Sequence, residues 1–223
     1  MQVPSERRSN PERTAEMRRR LLAAARSLFV ERGYADTGTP EIVTAAGVTR
    51  GALYHHFADK QALFQAVVEA EAAAVAAAIE AAAAGDGDAG HDGDGPAAPS
   101  AAIRRLVAGA RAYLAAMSVS GRTRLLLVEA PAVLGAAAVR EIDGGHAERT
   151  LREGLAEAMA AGDLPLLPLP ALTSLLSALF DRAALDASAD GGGDGGGEAA
   201  ITVIEALLAG LARTAPREGT GNA

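Results

Sequence analysis

The sequence predicts an all-α fold, and three observations lead to that prediction. Hydrophobic residues make up 49% of the 223 residues, and most of them are Ala and Leu, which favour helices, whereas the β-branched residues typical of strands are fewer. Apolar residues recur with a period close to 3.6 between turn signals. The sequence contains no cysteine, which excludes disulfides, thiolate metal sites and cysteine nucleophiles. Packed helices are therefore expected to hold the protein together.

The sequence carries no signal for secretion or for membrane insertion. Residues 1–10 are polar and lack the apolar core of a secretory signal. No segment of the sequence reaches the roughly 18 uninterrupted apolar residues that a membrane span needs. We therefore expect a cytoplasmic protein that has no membrane partner.

Charge is distributed unevenly along the chain, whose net charge is −7. Residues 1–60 carry 10 basic and 7 acidic side chains, whereas residues 61–223 carry 11 basic and 21 acidic ones. A basic N-terminal part joined to an acidic body suggests that only the N-terminal end meets a polyanion such as nucleic acid. On charge alone, accidental variation of the surface remains an alternative.

The first element, residues 1–13, is expected to be a flexible basic arm. Arg7, Arg8 and Arg13 either contact the phosphate backbone or minor groove of DNA or belong to a disordered tail. A first helix follows, because apolar residues recur at helical spacing until Gly33 provides a stop signal. The stripe of this helix consists of Leu21, Leu22, Ala25, Leu28 and Phe29.

Residues 39–57, TPEIVTAAGVTRGALYHHF, carry the most specific pattern in the chain. Thr39 can cap a short helix, with Pro40 at its first position, where a missing N–H costs nothing. Gly47 follows where a tight turn needs a residue that tolerates positive φ, and Thr49 then caps a second helix. The side chains expected to point inward are Ile42, Val48, Leu53 and Phe57. The pattern predicts a helix-turn-helix motif within a three-helix DNA-binding domain at residues 14–60.

The outer face of the second helix is the candidate DNA contact. Arg50, Tyr54 and His55 lie where a recognition helix meets base edges and phosphates in the major groove. Gly51, having no side chain, would let the backbone approach DNA closely. Alternatively, Tyr54 is a packing aromatic and His55 a solvated side chain. His55 and His56 are adjacent and point about 100° apart on a helix, which disfavours joint metal ligation.

The rest of the chain, residues 61–215, is expected to form a larger helical domain. Its first helix begins after Asp59, which can cap it, and runs through an Ala-rich tract to about residue 84. Segments 85–100 and 188–197 are predicted to be flexible linkers, because Gly-rich acidic runs bury little apolar surface. The acidic run at 86–94 lacks the Gly and Glu of a calcium loop, so no metal or cofactor is predicted. Further helices are predicted at 101–118, 122–135, 139–161, 171–187 and 199–213, before a tail at 216–223.

Four stretches of the N-terminal part occur in a specific order, namely LLAAARSLFVERGY, EIVTAAGV, TRGALYHHF and DKQALFQAV. With them, the segment from about Arg13 to Ala73 resembles the DNA-binding domain of the TetR family of bacterial transcriptional regulators. The resemblance implies a homodimer whose two recognition helices read a palindrome, and a larger helical domain that binds a small molecule and thereby loosens the grip on DNA. By position, the residues that resemble phosphate contacts are Thr39 and Lys60, and those that resemble groove contacts are Thr49, Arg50, Tyr54 and His55. A solvated helix start explains Lys60 equally well.

The run that follows Arg122, TRLLLVEAPAVLGAAAV, is apolar nearly all round, which predicts a helix buried on most sides. Pro131 should bend or end this helix, and a bent central helix can open a cavity. The stretch VEAPAVLG also resembles the helix that borders the effector pocket in part of the family. The residues expected to line a pocket are Tyr113, Met117, Leu126, Glu129 and Val133. The alternatives are a packed core without a cavity and, for Glu129, a solvent-facing side chain instead of a polar anchor for a cationic ligand.

The last two predicted helices each carry an apolar stripe. Leu172, Leu175, Leu176 and Leu179 form the first stripe, and Ile201, Ile204, Leu208 and Leu211 form the second. The resemblance implies that these helices form a four-helix bundle with their counterparts in a second subunit. Packing within one chain is the alternative interpretation.

The predicted function is a sequence-specific transcriptional regulator, in particular a repressor, located in the cytoplasm at the nucleoid. As a homodimer it would bind a palindromic operator in double-stranded DNA and be released by an apolar or amphiphilic small-molecule effector. An enzyme is not expected, because the sequence lacks the G-x-S-x-G, H-E-x-x-H, Walker and dinucleotide-binding patterns. The alternative function is a helical DNA-binding adaptor that dimerises but senses no ligand.

Overall fold

A computed structural model describes residues 10–85, 100–189 and 194–213, and within these ranges every regular element is a helix. The predicted all-α fold, a small N-terminal helical unit followed by a larger one, is confirmed. The elements are α1 (Asn10–Arg32), α2 (Thr39–Ala46), α3 (Arg50–His56), α4 (Lys60–Gly85), α5 (Ala101–Met117), α6 (Arg122–Arg124), a π-helical turn (Leu125–Glu129), α7 (Ala130–Leu134), α8 (Ala136–Gly144), α9 (Ala147–Ala160), α10 (Leu169–Ala189) and α11 (Asp194–Arg213).

Helix α4 takes part in two hydrophobic cores and so connects the two units. Its N-terminal half contributes Leu63 and Phe64 to a core shared with α1, α2 and α3, here called the N-terminal core. Its C-terminal half contributes Val75 and Ile79 to a core shared with α5, α9, α10 and α11, here called the C-terminal core. Asp59 Oδ1 accepts the backbone N–H of Ala62 at 2.7 Å, which confirms the predicted cap of α4.

Among the described residues, α4 alone has the length and composition of a membrane-spanning helix. An 18-residue window of α4 has a mean hydropathy of 1.6, and half of that window is buried inside the protein. The buried residues of the helix pack into the two protein cores. The apolar composition of α4 therefore serves its burial against other helices of the protein.

The segment between α5 and α8 departs from the continuous buried helix that the sequence predicts. A π-helical turn separates α6 from α7, and Pro131, which has no N–H to donate, lies at the start of α7 directly after this turn. Gly135 ends α7 with φ +86°. Leu125 is 1% exposed, but Val128 is 51% exposed. The segment therefore has a solvent-facing side, because it lies across α1 and α4 and is not surrounded by other helices.

Several predicted boundaries differ from those of the structure. The helix predicted at 139–161 is two helices, α8 and α9, because the chain turns at Gly145 and His146. The predicted linker 188–197 is shorter, since α10 continues to Ala189 and α11 begins at Asp194. Helix α1 begins at Asn10, inside the predicted arm. Residues 1–9, 86–99 and 216–223, which hold most of the predicted arm and first linker and all of the predicted tail, lie outside the described residues.

Candidate nucleic-acid interface and internal cavity

The turn between α2 and α3 has the conformation that the sequence predicts. Gly47 adopts φ +62°, and Arg20 Nη2 of α1 donates to its carbonyl oxygen at 3.1 Å. The positive φ favours glycine here, and a Cβ at this position would lie 2.6 Å from the same Arg20 nitrogen, so the arginine side chain would have to move. Thr49 Oγ1 accepts the N–H of Ala52 at 3.2 Å, which confirms Thr49 as the N-cap of α3. The turn and the cap together fix the direction of α3.

Helix α3 has one buried and one exposed face. Leu53 is fully buried in the N-terminal core beside Ile42 and Phe57, and Val48 is half-buried against it. The opposite, exposed face, which we call the recognition face, consists of Arg50, Gly51, Tyr54 and His55. The predicted division of α3 into an inner and an outer face is confirmed.

Arg50 and Tyr54 interact within the recognition face. The guanidinium carbon of Arg50 lies 5.5 Å from the centre of the Tyr54 ring, a cation–π distance. Hydrogen bonds with the Thr39 hydroxyl and then with Arg50 hold the pKa of Tyr54 below its usual range. Tyr54 is 42% exposed, so it is not the plain packing aromatic of the alternative interpretation. Side chains from α2 and α3 thus form one polar surface.

The cap predicted at Thr39 is wrong. Gly38 is the N-cap of α2, Thr39 is the first residue of the helix, and Pro40 is the second. The Glu41 carboxylate accepts the N–H of Gly38 at 2.9 Å, so the cap contact comes from the third residue of the helix and not from a threonine hydroxyl. The Thr39 hydroxyl is free of the cap and instead contacts Tyr54.

Lys60 does not lie in the position of a free phosphate contact. Its Nζ donates to the carbonyl oxygens of Tyr34 at 2.6 Å and of Thr37 at 2.9 Å, and it lies 4.1 Å from the centre of the Tyr34 ring. The ammonium therefore holds the loop between α1 and α2, which has carbonyl groups that no helix satisfies. Lys60 is the first residue of α4, but these contacts leave it partly buried, so it is not the freely solvated helix start of the alternative interpretation.

The two adjacent histidines of α3 have different surroundings. His55 is exposed on the recognition face, whereas His56 is partly buried beside Phe57, with ring centres 6.3 Å apart. Burial, followed by the nearby His55 and Arg18, lowers the pKa of His56. His56 is therefore a packing residue, and His55 alone of the pair is available for contact with DNA.

The sequence left two interpretations of Glu129, a polar anchor in a ligand pocket and a side chain that faces solvent. Both are wrong. Its Oε2 accepts the backbone N–H of Tyr34 at 3.0 Å, and its Oε1 pairs with Arg124 Nε at 3.1 Å. Arg124 Nη2 donates to the carbonyl oxygens of Phe29 at 3.0 Å and Val30 at 2.7 Å, at the C-terminal end of α1. Both residues therefore connect the segment around the π-helical turn to the N-terminal unit, through backbone groups that a helix end leaves unsatisfied.

A second group of charges joins the two units beside these contacts. Glu71 of α4 is 8% exposed and accepts hydrogen bonds from Arg26 Nε and Arg122 Nε, each at 2.8 Å. Burial would raise the pKa of Glu71, but the hydrogen bonds from the two arginines hold it below its usual range. Gly121, at φ +74°, packs so closely on Val30 of α1 that a Cβ would lie 2.3 Å from it. This charge cluster was not predicted from the sequence, because its members lie far apart along the chain.

Three other residues predicted to line a pocket are placed elsewhere. Leu126 is half-buried and packs against both cores. Met117 is 2% exposed in the C-terminal core and lines a separate pocket beside the ends of α5, α10 and α11. Val133 packs on the N-terminal core, and its carbonyl oxygen accepts Gln61 Nε2 at 3.3 Å. The placements of Leu126 and Val133 follow from the position of the π-helical segment across α1 and α4, away from the cavity described next.

A cavity of about 310 Å³ lies between α4, α5, α9 and α10, and of the five predicted pocket residues only Tyr113 lines it. Its walls include apolar side chains of all four helices, namely Ile79, Leu106, Leu151 and Phe180. Its volume is at the lower end of the range of small-molecule sites, about 300–1,000 Å³. The cavity can therefore hold a small apolar molecule.

One end of the cavity is acidic. Tyr113 is 8% exposed and donates its hydroxyl hydrogen to Asp181 Oδ1 at 2.6 Å, which with burial raises the pKa of Tyr113. Burial, together with the charges of Asp181 and Glu148, raises the pKa of Asp143 to about 6. Burial also raises the pKa of Asp181. Neither aspartate was predicted from the sequence. An acid beside Phe180 in the apolar stripe of α10 is the one signal that could have indicated Asp181.

The predicted dimer stripes lie largely inside one subunit. Leu176, Ile201, Ile204 and Leu208 are all buried in the C-terminal core, and Leu172, Leu179 and Leu211 are partly buried against it. These residues contact the subunit's own helices. Leu175, at 71% exposed, is the one predicted residue that projects fully outward, and on α11 the exposed apolar side chains are Val203 and Leu207.

Models of known families match most of the chain. A model described as bacterial regulatory proteins, tetR family, matches residues 21–67, and one described as a tetracyclin repressor-like C-terminal domain matches residues 103–211. A solved TetR-family transcriptional regulator from Pectobacterium atrosepticum is 30% identical, with a TM-score of 0.68 over 92% of this chain and 97% of that chain.

Curated relatives match over a shorter stretch. The HTH-type transcriptional repressor BepR of Brucella suis is 48% identical over 54 residues, which are 24% of this chain and 26% of the relative. The HTH-type transcriptional regulator AcrR of Shigella flexneri is 44% identical over 62 residues, which are 28% of this chain and 29% of the relative. The chain thus spans less than a third of the length of these curated relatives.

Proposed function

Because this chain belongs to the TetR family of bacterial regulatory proteins, we propose that it represses transcription as a homodimer bound to a palindromic operator and is released by a small molecule. The family is one of bacterial regulatory proteins, and we propose that this chain acts as a regulator and not as an enzyme. We place the protein in the cytoplasm, at the nucleoid.

The recognition face is the observation that carries the proposal. It presents Arg50, Tyr54 and His55 to solvent on a helix whose other side is fixed in the N-terminal core. An arginine at the start of a recognition helix can donate two hydrogen bonds to a guanine, and a neighbouring aromatic side chain restricts its orientation. We assign Arg50 the main part in base discrimination, Tyr54 and Thr39 a supporting part at the groove edge, and Gly51 the close approach of backbone.

Two sets of contacts support a connection between ligand binding and DNA binding. The cavity is lined by the C-terminal half of α4, and the N-terminal half of the same helix packs under α2 and α3. The contacts of Glu129 with Tyr34 and of Arg124 with the end of α1 fix the N-terminal unit relative to the segment around the π-helical turn. We propose that a ligand in the cavity moves α4 and thereby changes the spacing of the two recognition faces in the dimer.

The dimer itself is proposed through the outer sides of α10 and α11. Leu175, Val203 and Leu207 are large apolar side chains that are well exposed on these two helices. A second copy of the chain, related by a two-fold axis, would bury the same side chains on both subunits. Two recognition faces would then read two half-sites about one helical turn of DNA apart.

Selection from a randomised library of duplex DNA tests this function. Purified protein is equilibrated with the library, and the bound fraction is sequenced after several rounds. A palindrome with two half-sites is expected. Binding that falls steeply with salt and shows no preferred sequence would contradict the assignment of the recognition face and favour an adaptor that does not read bases.

A further inference from the structure

The acidic end of the cavity contains carboxylates that have no cationic partner among the described residues. The other acids that line the cavity are paired: Arg149 contacts Glu80 at 2.9 Å and Glu153 at 3.2 Å, and Arg105 contacts Glu157 at 3.4 Å. Asp143 and Asp181 form no such ion pair within residues 10–85, 100–189 and 194–213.

The carboxylates of Asp143 and Asp181 can accept more hydrogen bonds than the described residues donate to them. The hydroxyl of the buried Tyr113 donates to Asp181 Oδ1, and no described group donates a hydrogen bond to Asp181 Oδ2. A backbone hydrogen bond from Glu148 reaches Asp143, but no described side chain donates to it. A carboxylate can accept about four hydrogen bonds. The two aspartates therefore offer several free acceptor positions at one end of an apolar cavity.

We propose that the cavity binds an organic cation, whose ammonium group lies between Asp143 and Asp181 and whose apolar body lies against Ile79, Leu106 and Phe180. Two carboxylates in a poorly solvated place repel each other and lose hydration, and a bound cation offsets both effects. Burial raises the pKa values of both aspartates, in keeping with this unfavourable environment. Tyr113 is a positioning residue, because its hydrogen bond fixes the orientation of Asp181.

The composition of the walls favours an organic cation over a metal ion. No group of three or more suitable side chains that could hold a metal is found within the part of the chain that the structure describes. The apolar side chains opposite the aspartates would instead contact a hydrocarbon or aromatic body. The identification of this ligand class as the effector rests on the proposed function, whereas its binding in the cavity does not.

A series of three compounds with the same phenylbutyl body tests the proposal on the wild-type protein. At pH 7.5, 4-phenylbutylamine is a cation, 4-phenylbutan-1-ol is neutral and 4-phenylbutanoate is an anion. Isothermal titration calorimetry is expected to rank the amine tightest and the anion weakest, with the amine favoured over the alcohol by about tenfold or more. Equal affinity for the three head groups, or no binding of the amine, overturns the proposal.

Substitutions of the two aspartates test whether the amine binds at the acidic end of the cavity. Asp143→Asn and Asp181→Asn are expected to weaken binding of the amine about tenfold or more, while binding of the alcohol is kept. Asp186→Asn, an exposed acid of the same helix α10, is the matched control and is expected to bind the amine as the wild type does. Unchanged affinity of both cavity variants for the amine overturns the proposal. Thermal unfolding of each variant confirms that it is folded.

A mobility-shift titration on the selected operator separates this proposal from the proposed function. Release of the operator by the amine, lost in Asp143→Asn, supports both. Binding of the amine with no change in operator affinity supports the cation site and contradicts its effector role. Failure of all variants and the wild type to bind any operator contradicts the proposed function and leaves the calorimetric result to decide the cation site.

Discussion

Glu129 and Tyr34, 95 positions apart in sequence, are joined by a hydrogen bond of 3.0 Å from the Tyr34 backbone N–H to the carboxylate. Tyr34 lies in the loop that leads into α2, and Glu129 ends the π-helical turn. The same loop is held from its other side by Lys60, whose Nζ donates to the Tyr34 carbonyl oxygen at 2.6 Å. Both backbone groups of one residue are thus fixed by side chains of other elements.

Glu129→Ala is expected to loosen this loop. The Tyr34 N–H then loses its acceptor, and its hydrogen-exchange rate should rise while amides in the middle of α4 keep theirs. Unfolding should become easier by about 1–3 kcal/mol. Hydrogen exchange followed by NMR measures the first effect. Glu129→Gln keeps an acceptor oxygen and is the control; the same exchange rate at Tyr34 in all three proteins would contradict this role of Glu129.

Arg50→Ala is expected to reduce discrimination between DNA sequences. A lost bidentate contact to a base should cost about 1–3 kcal/mol on the selected palindrome and much less on random DNA. Competition binding at fixed salt measures both affinities. Arg32→Ala, which removes an exposed arginine paired with Glu41 outside the recognition face, is the control. Equal losses on specific and random DNA for Arg50→Ala would show that Arg50 contacts phosphate only.

Lys60→Met is expected to destabilise the protein, because the carbonyl oxygens of Tyr34 and Thr37 lose a charged donor. The expected loss is about 1.5–3 kcal/mol in the free energy of unfolding. Urea denaturation measures it, with Lys60→Arg as the control that keeps the charge. If Lys60→Met unfolds like the wild type but binds all DNA more weakly, Lys60 is a phosphate contact after all.

Asp143 should make stability depend on pH in a defined direction. Its pKa is about 6 in the folded protein and near 3.8 for an ordinary aspartate, so between these values the folded state holds a proton that the unfolded chain does not. This contribution favours folding below about pH 4 and is lost as the pH rises through about 6.

The difference between Asp143→Asn and the wild type isolates this contribution from those of other carboxylates. The variant should melt at a higher temperature than the wild type at pH 7.5, and the difference should shrink as the pH falls to 4.5. Differential scanning calorimetry over this range measures it. A constant difference at every pH would contradict a perturbed Asp143.

Leu175→Glu is expected to shift the proposed dimer toward the monomer. Leu175 is 71% exposed in one subunit, so a charge there should leave the subunit folded but would be buried in a dimer formed through α10. Sedimentation velocity measures the assembly state. Val128→Glu places the same charge at another exposed apolar residue and is the control. A dimer that persists in Leu175→Glu would place the interface elsewhere.

The parts of the molecule that were predictable from the sequence are those fixed by local pattern. The turn at Gly47, the cap at Thr49 and the two faces of α3 depend on residues within one short segment, and the structure has them as predicted. The N-cap of α2 at Gly38 was not predictable from residue preference, because its contact comes from the Glu41 carboxylate three residues later and not from a side chain of the cap residue.

The cavity depended on contacts between distant segments. Tyr113, Asp143 and Asp181 belong to three helices, and nothing in their local sequence indicates that they meet. Glu129 was expected to face a ligand or solvent because its run is apolar. The π-helical turn instead directs it to a backbone N–H across the boundary between the two units. The partner of Glu129 therefore depends on the π-helical turn, which the local sequence pattern does not specify.

Helix α4 belongs to both the N-terminal core and the C-terminal core, and this limits how the chain can be divided for protein engineering. The helix is 26 residues long, about 39 Å, and a cut anywhere within it would strip one core of its central helix. A chimera with a new DNA target should therefore exchange α2 and α3 alone. It would retain α1, the Tyr34 loop and all of α4, so that the grafted motif inherits an intact connection to the cavity.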